Sequence, residues 1–260
     1  MSARFVVSRC MNWLLLRGLG REQRHWGDFP DSLRERLGGE ITCIDLPGSG
    51  TEYRRKAPIT VADTVDDLRQ RWLAERGQDQ ATGILGLSLG GMLALDWVAR
   101  FPEDFRLGVV ISGSAAGISS RTQRLLPNAL LQLLGAGLSE DPLARELKIL
   151  GFSSRLHAQD SQLAATWADY ARSAPVSSRN VLRQMLAAAR FTPPGPIAAP
   201  LLILGSLTDA MVSPACSPAL AQHYDAILQM HPNAGHDIPL DDPGWVIEQI
   251  QRFLEARHPN

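Results

Sequence analysis

Six short, continuously apolar runs recur along this chain, separated by longer stretches with helical spacing, and that rhythm limits the folds open to it. The runs cover residues 13–16, 40–46, 82–87, 107–112, 200–205 and 226–230. Unbroken apolarity, without polar alternation, suits strands covered on both faces, as in a parallel sheet. The spacing predicts helices between them over 31–37, 60–76, 89–100, 214–224 and 243–256, and Thr60 followed by Asp63 gives one of these a capping-box-like start. Strand alternating with helix predicts an α/β sheet with right-handed crossovers.

One interval breaks the rhythm. Residues 114–199 contain no convincing strand, and helical patterns fill them instead, at 123–134, 142–150, 159–171 and 178–188. Turn-prone punctuation at 135–137 and 151–154 separates these patterns, and the stretch FTPPGPIAAP closes the interval. The expected organisation is a core of residues 1–113 and 200–260, with 114–199 as a helical cap over the sheet. Long ordered insertions of this kind often cover a site.

A chain of 260 residues, 45% of them hydrophobic, can bury one substantial core. A net charge of −1 argues against general affinity for nucleic acid or anionic membrane. Cys10, Cys43 and Cys216 are too few and too scattered for a disulfide framework or a zinc cluster, which favours a reducing, cytoplasmic compartment. No apolar run reaches the length of a membrane span. Arg4, Arg9 and Arg17 surround the first run, so it does not read as a signal-peptide core.

The chemistry concentrates at three places. GLSLG, residues 86–90, follows an apolar run and precedes a helical one, the setting in which a tight turn presents a serine hydroxyl. Gly86 and Gly90 let strand and helix backbones pass close to that turn, and Ser88 becomes a candidate nucleophile. A serine at its normal pKa needs a base held by a third group. His236, in HPNAGHDIPLDDP between the last strand and the last helix, is the candidate base; Asp209, in LLILGSLTDAMVSP, is the candidate orienting acid. His231 reads as structural at a strand end, and its spacing from His236 does not suit a helical metal pair. His25, His157, His223 and His258 read as solvated or locally bonded, Asp96 as a helix packing residue. Asp237 adjoins His236, but sequence neighbours rarely face each other. The backbone N–H groups of Leu19, in LLLRGLG, and Leu89 could meet at one oxygen and stabilise charge that appears only in a transition state.

Taken together, LLLRGLG, IDLPGSG, GLSLGG, LILGSLTDAMVSP and NAGHDIPLDDP resemble the α/β-hydrolase family. Within it, the layout is similar to small carboxylesterases with a helical lid, of the pimeloyl-carrier-protein methyl ester esterase kind. The resemblance implies a mostly parallel sheet flanked by helices, with a helical lid inserted after the sixth strand. It implies Ser88, Asp209 and His236 as catalytic triad, Leu19 and Leu89 as oxyanion donors, and no metal or organic cofactor. The expected activity is hydrolysis of a carboxylic ester or thioester through an acyl-enzyme. An acyltransferase, a cofactor-free lyase or oxygenase, and a silent binding protein on the same scaffold are the alternatives. Two positions depart from the family pattern: Arg17 stands where a histidine is common before the oxyanion residue, and Ser49 where Leu-Pro-Gly-His-Gly has its histidine. The interval 114–199 carries nine basic and five acidic residues, a net +4. That surface would suit an acyl group carried on acyl carrier protein or coenzyme A.

Overall fold

The computed structural model describes residues 11–75 and 82–257; Arg4, Arg9, Cys10, His258 and the end of the helix predicted to reach Arg76 lie outside the described residues. Six strands form one sheet: β1 (Asn12–Leu16), β2 (Ile41–Cys43), β3 (Thr82–Leu87), β4 (Leu107–Ile111), β5 (Leu201–Ser206) and β6 (Ile227–His231). Their order is β2-β1-β3-β4-β5-β6, and every pairing is parallel. Each predicted run therefore lands on a strand, and the ends differ by a few residues at most.

Helices cover both faces of β1, β3, β4 and β5, which is why these strands read as continuous apolar runs, while the edge strands β2 and β6 are only partly covered. On one face, Leu14, Leu16, Ile84, Val110, Leu201 and Ile203 pack with α2 (Val61–Glu75), α3 (Leu89–Arg100) and α9 (Cys216–Tyr224). On the other, Trp13, Leu15, Leu85, Val109, Leu202 and Leu204 pack against α1 (Phe29–Leu37) and α11 (Pro243–Glu255). The register sets Leu15 beside Leu85, Leu85 beside Val109 and Val109 beside Leu202, so one row of large side chains crosses the sheet beneath α1 and α11. The start expected at Thr60 is present: the Asp63 amide donates to Thr60 Oγ1 at 3.1 Å, and Thr60 Oγ1 donates to the Asp63 carboxylate at 2.6 Å.

Between β4 and β5 the chain forms five helices and no strand: α4 (Arg121–Arg124), α5 (Pro127–Gly137), α6 (Pro142–Ser153), α7 (Ser161–Ser173) and α8 (Ser178–Arg190). Counted from the first described strand, this segment follows the fourth, since the described chain starts at β1. The single helix expected over 123–134 is two, because Pro127 has no N–H to continue α4 and instead opens α5 at its first turn. The glycines read as breaks at 135–137 and at 151 lie within α5 and α6. In α6 the burial of Leu150 and Phe152 on either side of Gly151 outweighs its weak propensity. Asp141, Asp160 and Ser177 cap α6, α7 and α8 through their side chains. A short helix, α10 (Ile238–Asp241), precedes α11.

Candidate active site

Ser88 joins β3 to α3 with φ 58° and ψ −115°, a left-handed conformation that non-glycine residues rarely adopt and that costs about 1–3 kcal/mol. Its amide donates to the Ile111 carbonyl at 2.8 Å, which ties the turn to the end of β4; its carbonyl accepts from Gly91 and Met92 and starts the helix. The close approach at Gly90 explains that residue, since a Cβ there would run into the carbonyl of Leu16 on β1. The turn sits where the chain order reverses, with β1 leading outward to β2 and β3 leading away in the other direction. In open parallel sheets the crevice at this switch point is where ligands bind.

His236 and Asp209 meet across the carboxyl edge of the sheet. Asp209 lies four residues beyond Gly205, in the loop after β5; its Oδ1 accepts from the Met211 and Val212 amides at 2.8 and 2.9 Å. Its Oδ2 lies 2.8 Å from His236 Nδ1, and both side chains are buried. Burial alone would lower the imidazole pKa, but the charge and hydrogen bond of Asp209, helped by Asp237, reverse this and hold it above the ordinary histidine value. His236 Nε2 is buried with no hydrogen-bond partner, Ser88 included.

Several backbone groups of the histidine loop are fixed by hydrogen bonds. Thr208 Oγ1 donates to the Ala234 carbonyl at 2.7 Å, and Ser206 Oγ donates to the same oxygen. Ser112 Oγ donates to the His236 carbonyl at 3.0 Å, the Gly235 amide to Asp241 at 2.6 Å and the Asp237 amide to the Ser153 carbonyl at 2.8 Å. His231, at the end of β6, accepts from the Asn233 and Ala234 amides through Nδ1 and faces Asp242 through Nε2, the structural role expected of it.

The loop after β1 completes the site. A Cβ on Gly18 would lie 3.2 Å from Ser88 Cβ, so this loop rests directly on the serine. Neither the Leu19 nor the Leu89 amide donates to a group of the described residues. The Gly20 amide donates to Gln184 Oε1 of α8 at 2.9 Å, and Gln184 Nε2 donates to Ser49 Oγ at 3.1 Å. Arg17, at the position that departs from the family pattern, is buried and forks onto Asp237 at 2.5 and 3.2 Å, with its guanidinium 4.6 Å above the Trp26 ring. Sequence reasoning missed this pair because 220 residues separate its members; an unexpected arginine in an otherwise apolar strand end was the available signal.

Helices α6 and α7 grip the same loop. Arg21 pairs with Glu146 at 2.6 Å and lies 4.5 Å over Trp167, while Arg24 lies 4.4 Å over Tyr170. His25, expected to be solvated or locally bonded, is locally bonded through Glu22 but buried, edge-on to Trp167 and Tyr170. Arg21 donates to its Nε2, Nδ1 lies against both the amide and the carbonyl of Glu22, and burial beside Arg21 and Arg17 depresses its pKa well below the ordinary value. Asp96 is buried on α3 and pairs with Arg100 at 2.7 Å, away from the serine turn. Among the described residues no three His, Cys, Asp or Glu side chains group as metal ligands, and no helix is long and apolar enough to cross a membrane.

Known proteins resemble this chain in sequence or in fold. A 2-succinyl-6-hydroxy-2,4-cyclohexadiene-1-carboxylate synthase of Pectobacterium atrosepticum is 27% identical over 267 residues, covering 98% of this chain and 97% of that protein. A homoserine O-acetyltransferase of Haloferax prahovense is 31% identical over 115 residues, 36% of this chain and 27% of its own length, so the chain spans about a quarter of that relative. Among solved structures, an enol-lactonase from Burkholderia xenovorans superposes with a TM-score of 0.74 at 17% identity, covering 94% of this chain and 91% of that one. The type II thioesterase BorB of the borrelidin biosynthetic cluster gives 0.66 at 20%, covering 94% and 93%. These two likenesses carry the fold alone. The model of the alpha/beta hydrolase family matches residues 13–249, and together with the parallel sheet and the strained Ser88 turn this places the chain in the alpha/beta hydrolase family.

Proposed function

We propose that the protein is a serine hydrolase that cleaves a carboxylic ester or thioester through an acyl-enzyme on Ser88. The observation that carries this reading is the His236–Asp209 contact at 2.8 Å, which leaves a buried, unpartnered Nε2 on a sheet edge shared with the strained serine turn. In the first step Nε2 takes the Ser88 proton as Oγ adds to the carbonyl carbon, and the carbonyl oxygen becomes an oxyanion facing the Leu19 and Leu89 amides. One such donor is worth roughly 3–4 kcal/mol. The imidazolium then protonates the leaving alcohol or thiol as its bond to the acyl carbon breaks. Water repeats the sequence, releases the acid and restores the serine. Asp209 holds Nδ1 protonated and stabilises the imidazolium throughout. The test is labelling by a fluorophosphonate probe together with turnover of short p-nitrophenyl esters. Both are expected in the native protein and neither in Ser88→Ala; an Ser88→Ala variant with full rate would refute the assignment.

In this reading residues 114–199 act as a lid, and their grip on the loop that carries Leu19 supports it. A carrier-borne acyl group, on acyl carrier protein or coenzyme A, is the finer substrate class. Its support is a patch where α8 meets the loop at 53–57: Arg54, Lys56, Arg179 and Arg183, none of which pairs with a carboxylate among the described residues. Hydrolysis of a carrier-bound ester should weaken with salt more steeply than that of a free ester. A cytoplasmic setting belongs to the same reading, supported by Cys43 and Cys216 both being free thiols.

A second reading has its own support. A match over 98% of the chain is to a synthase, and a match over 36% of it is to an acetyltransferase. A histidine-activated serine can pass its acyl group to an alcohol, or remove a proton from carbon beside a carbonyl, on the same fold. Product analysis in water, with and without added alcohol or thiol, separates these outcomes from hydrolysis.

A further inference from the structure

Arg17 and Asp237 join the two loops that must cooperate if Ser88 is the nucleophile. Arg17 immediately precedes Gly18, which rests on Ser88, and Leu19, whose amide has no acceptor among the described residues; Asp237 immediately follows His236. The two side chains are 4% and 5% exposed, and the two terminal nitrogens of the guanidinium donate one to each carboxylate oxygen, at 3.2 and 2.5 Å. Trp26 covers the guanidinium face at 4.6 Å, and the Asp237 amide is anchored on the Ser153 carbonyl of α6. A forked pair fixes distance and angle together, whereas a single contact between flexible side chains fixes neither.

We propose that Arg17 and Asp237 are a positioning pair, a buried clamp that sets the spacing between the Leu19 amide and the His236 imidazole. The inference rests on Ser88 as the nucleophile. Neither residue touches reacting atoms. The clamp has a second consequence. The charged groups facing His236 are Asp209, from the loop after β5, Asp237, on its own loop, and Arg17, from the loop after β1. Asp241 of α10 is turned to the Gly235 amide, and α6 presents the uncharged Ser153 carbonyl. Arg17 and Asp237 act on the imidazole in opposite directions, so Arg17 offsets part of what Asp237 adds to the effect of Asp209.

The experiment begins with fluorophosphonate labelling of the native protein and Ser88→Ala; absence of serine-dependent labelling would refute the nucleophile and not the clamp. With labelling established, kcat, KM and the pH profile of kcat/KM are compared for Arg17→Met, Asp237→Asn, Arg17→Lys and the double variant Arg17→Met/Asp237→Leu. Each single change is expected to lower kcat about tenfold with KM within about threefold, the signature of misplaced groups. Arg17→Met leaves a carboxylate near the imidazole and should move the acid limb to higher pH. Asp237→Asn leaves a cation and should move it lower, each by about half a unit or more. Arg17→Lys keeps the charge and loses the fork, so kcat falls while the acid limb stays. The double variant buries no unpaired charge, and such replacements fold well elsewhere. It should restore the acid limb, keep the reduced kcat, and lose no more than the worse single variant. If either single variant fails to fold, the double variant decides. A double variant with native kcat, or a loss equal to the product of the single losses, overturns the proposal. So do single variants whose acid limbs both stay in place.

Discussion

His236 Nδ1 stands 2.8 Å from Asp209 Oδ2, and this contact decides which ring nitrogen is free. With the carboxylate accepting from Nδ1, Nε2 is left as the acceptor, buried and without a partner among the described residues. Asp209→Asn should leave the fold intact, since the amide can keep one acceptor toward Met211 and Val212. It removes the charge that holds the imidazolium and permits the wrong tautomer. On the proposed serine mechanism, ester turnover should fall by about 10⁴, the loss this change causes in serine triads, and stopped-flow acylation rates check this.

His236 and His25 should tilt the pH dependence of stability in opposite senses. The folded pKa of His236 lies above the ordinary value, so its contribution is complete below the unfolded pKa, about 6.5, and is lost as pH rises through the folded value. His25 is depressed, chiefly by burial and then by Arg21, so its contribution is present above the unfolded pKa and is lost as pH falls toward the folded value. Thermal unfolding of His25→Asn across pH 5–8 isolates the second effect. The variant should be less stable at every pH through lost packing on Trp167 and Tyr170, yet its decline below about pH 6.5 should be shallower than that of the native protein.

Glu146 is 4% exposed and is the carboxylate partner of Arg21, so its removal strands a nearly buried cation beside Trp167. Breaking a buried pair from one side costs about 3–5 kcal/mol. Glu146→Ala should lower the urea midpoint accordingly. It should also slow acylation, because Arg21 belongs to the loop that carries Leu19. Full stability with normal acylation would separate the helical segment from the site.

Much of this arrangement was legible in the chain because its signals are local. Two glycines flanking Ser88, an apolar run before them and a helical pattern after them describe the turn whatever surrounds it. The strands were legible for a similar reason: both faces are covered, so Leu14 to Leu16 or Ile84 to Leu87 admit no polar residue. What was hidden depends on partners distant in sequence. Nothing near Arg17 announces Asp237, and nothing near Gln184 announces the Gly20 amide. Gly135 and Gly151 misled because packing at the neighbouring Ala136 and Leu150 overrides their propensity. Pro127 misled in the opposite sense, since its effect on backbone geometry was outweighed by the leucine periodicity around it.

Ser112 supplies the sharpest separation of stability from activity. It holds φ 51°, donates its amide to the Leu204 carbonyl at 2.8 Å and its hydroxyl to the His236 carbonyl at 3.0 Å, while the preceding carbonyl, of Ile111, receives the Ser88 amide. One strained residue thus spaces the Ser88 turn from the His236 loop. Ser112→Ala keeps the strain and leaves the buried carbonyl unsatisfied, a loss of about 1–3 kcal/mol. Ser112→Gly loses the same hydrogen bond but relieves the left-handed strain, worth about 1 kcal/mol. In urea titrations the glycine variant should therefore be the more stable of the two, by about that difference. Its acylation rate should be no better than that of the alanine variant, because the hydroxyl that holds the histidine loop is gone from both. An alanine variant as stable as the glycine variant would mean that the backbone at Ser112 is unstrained.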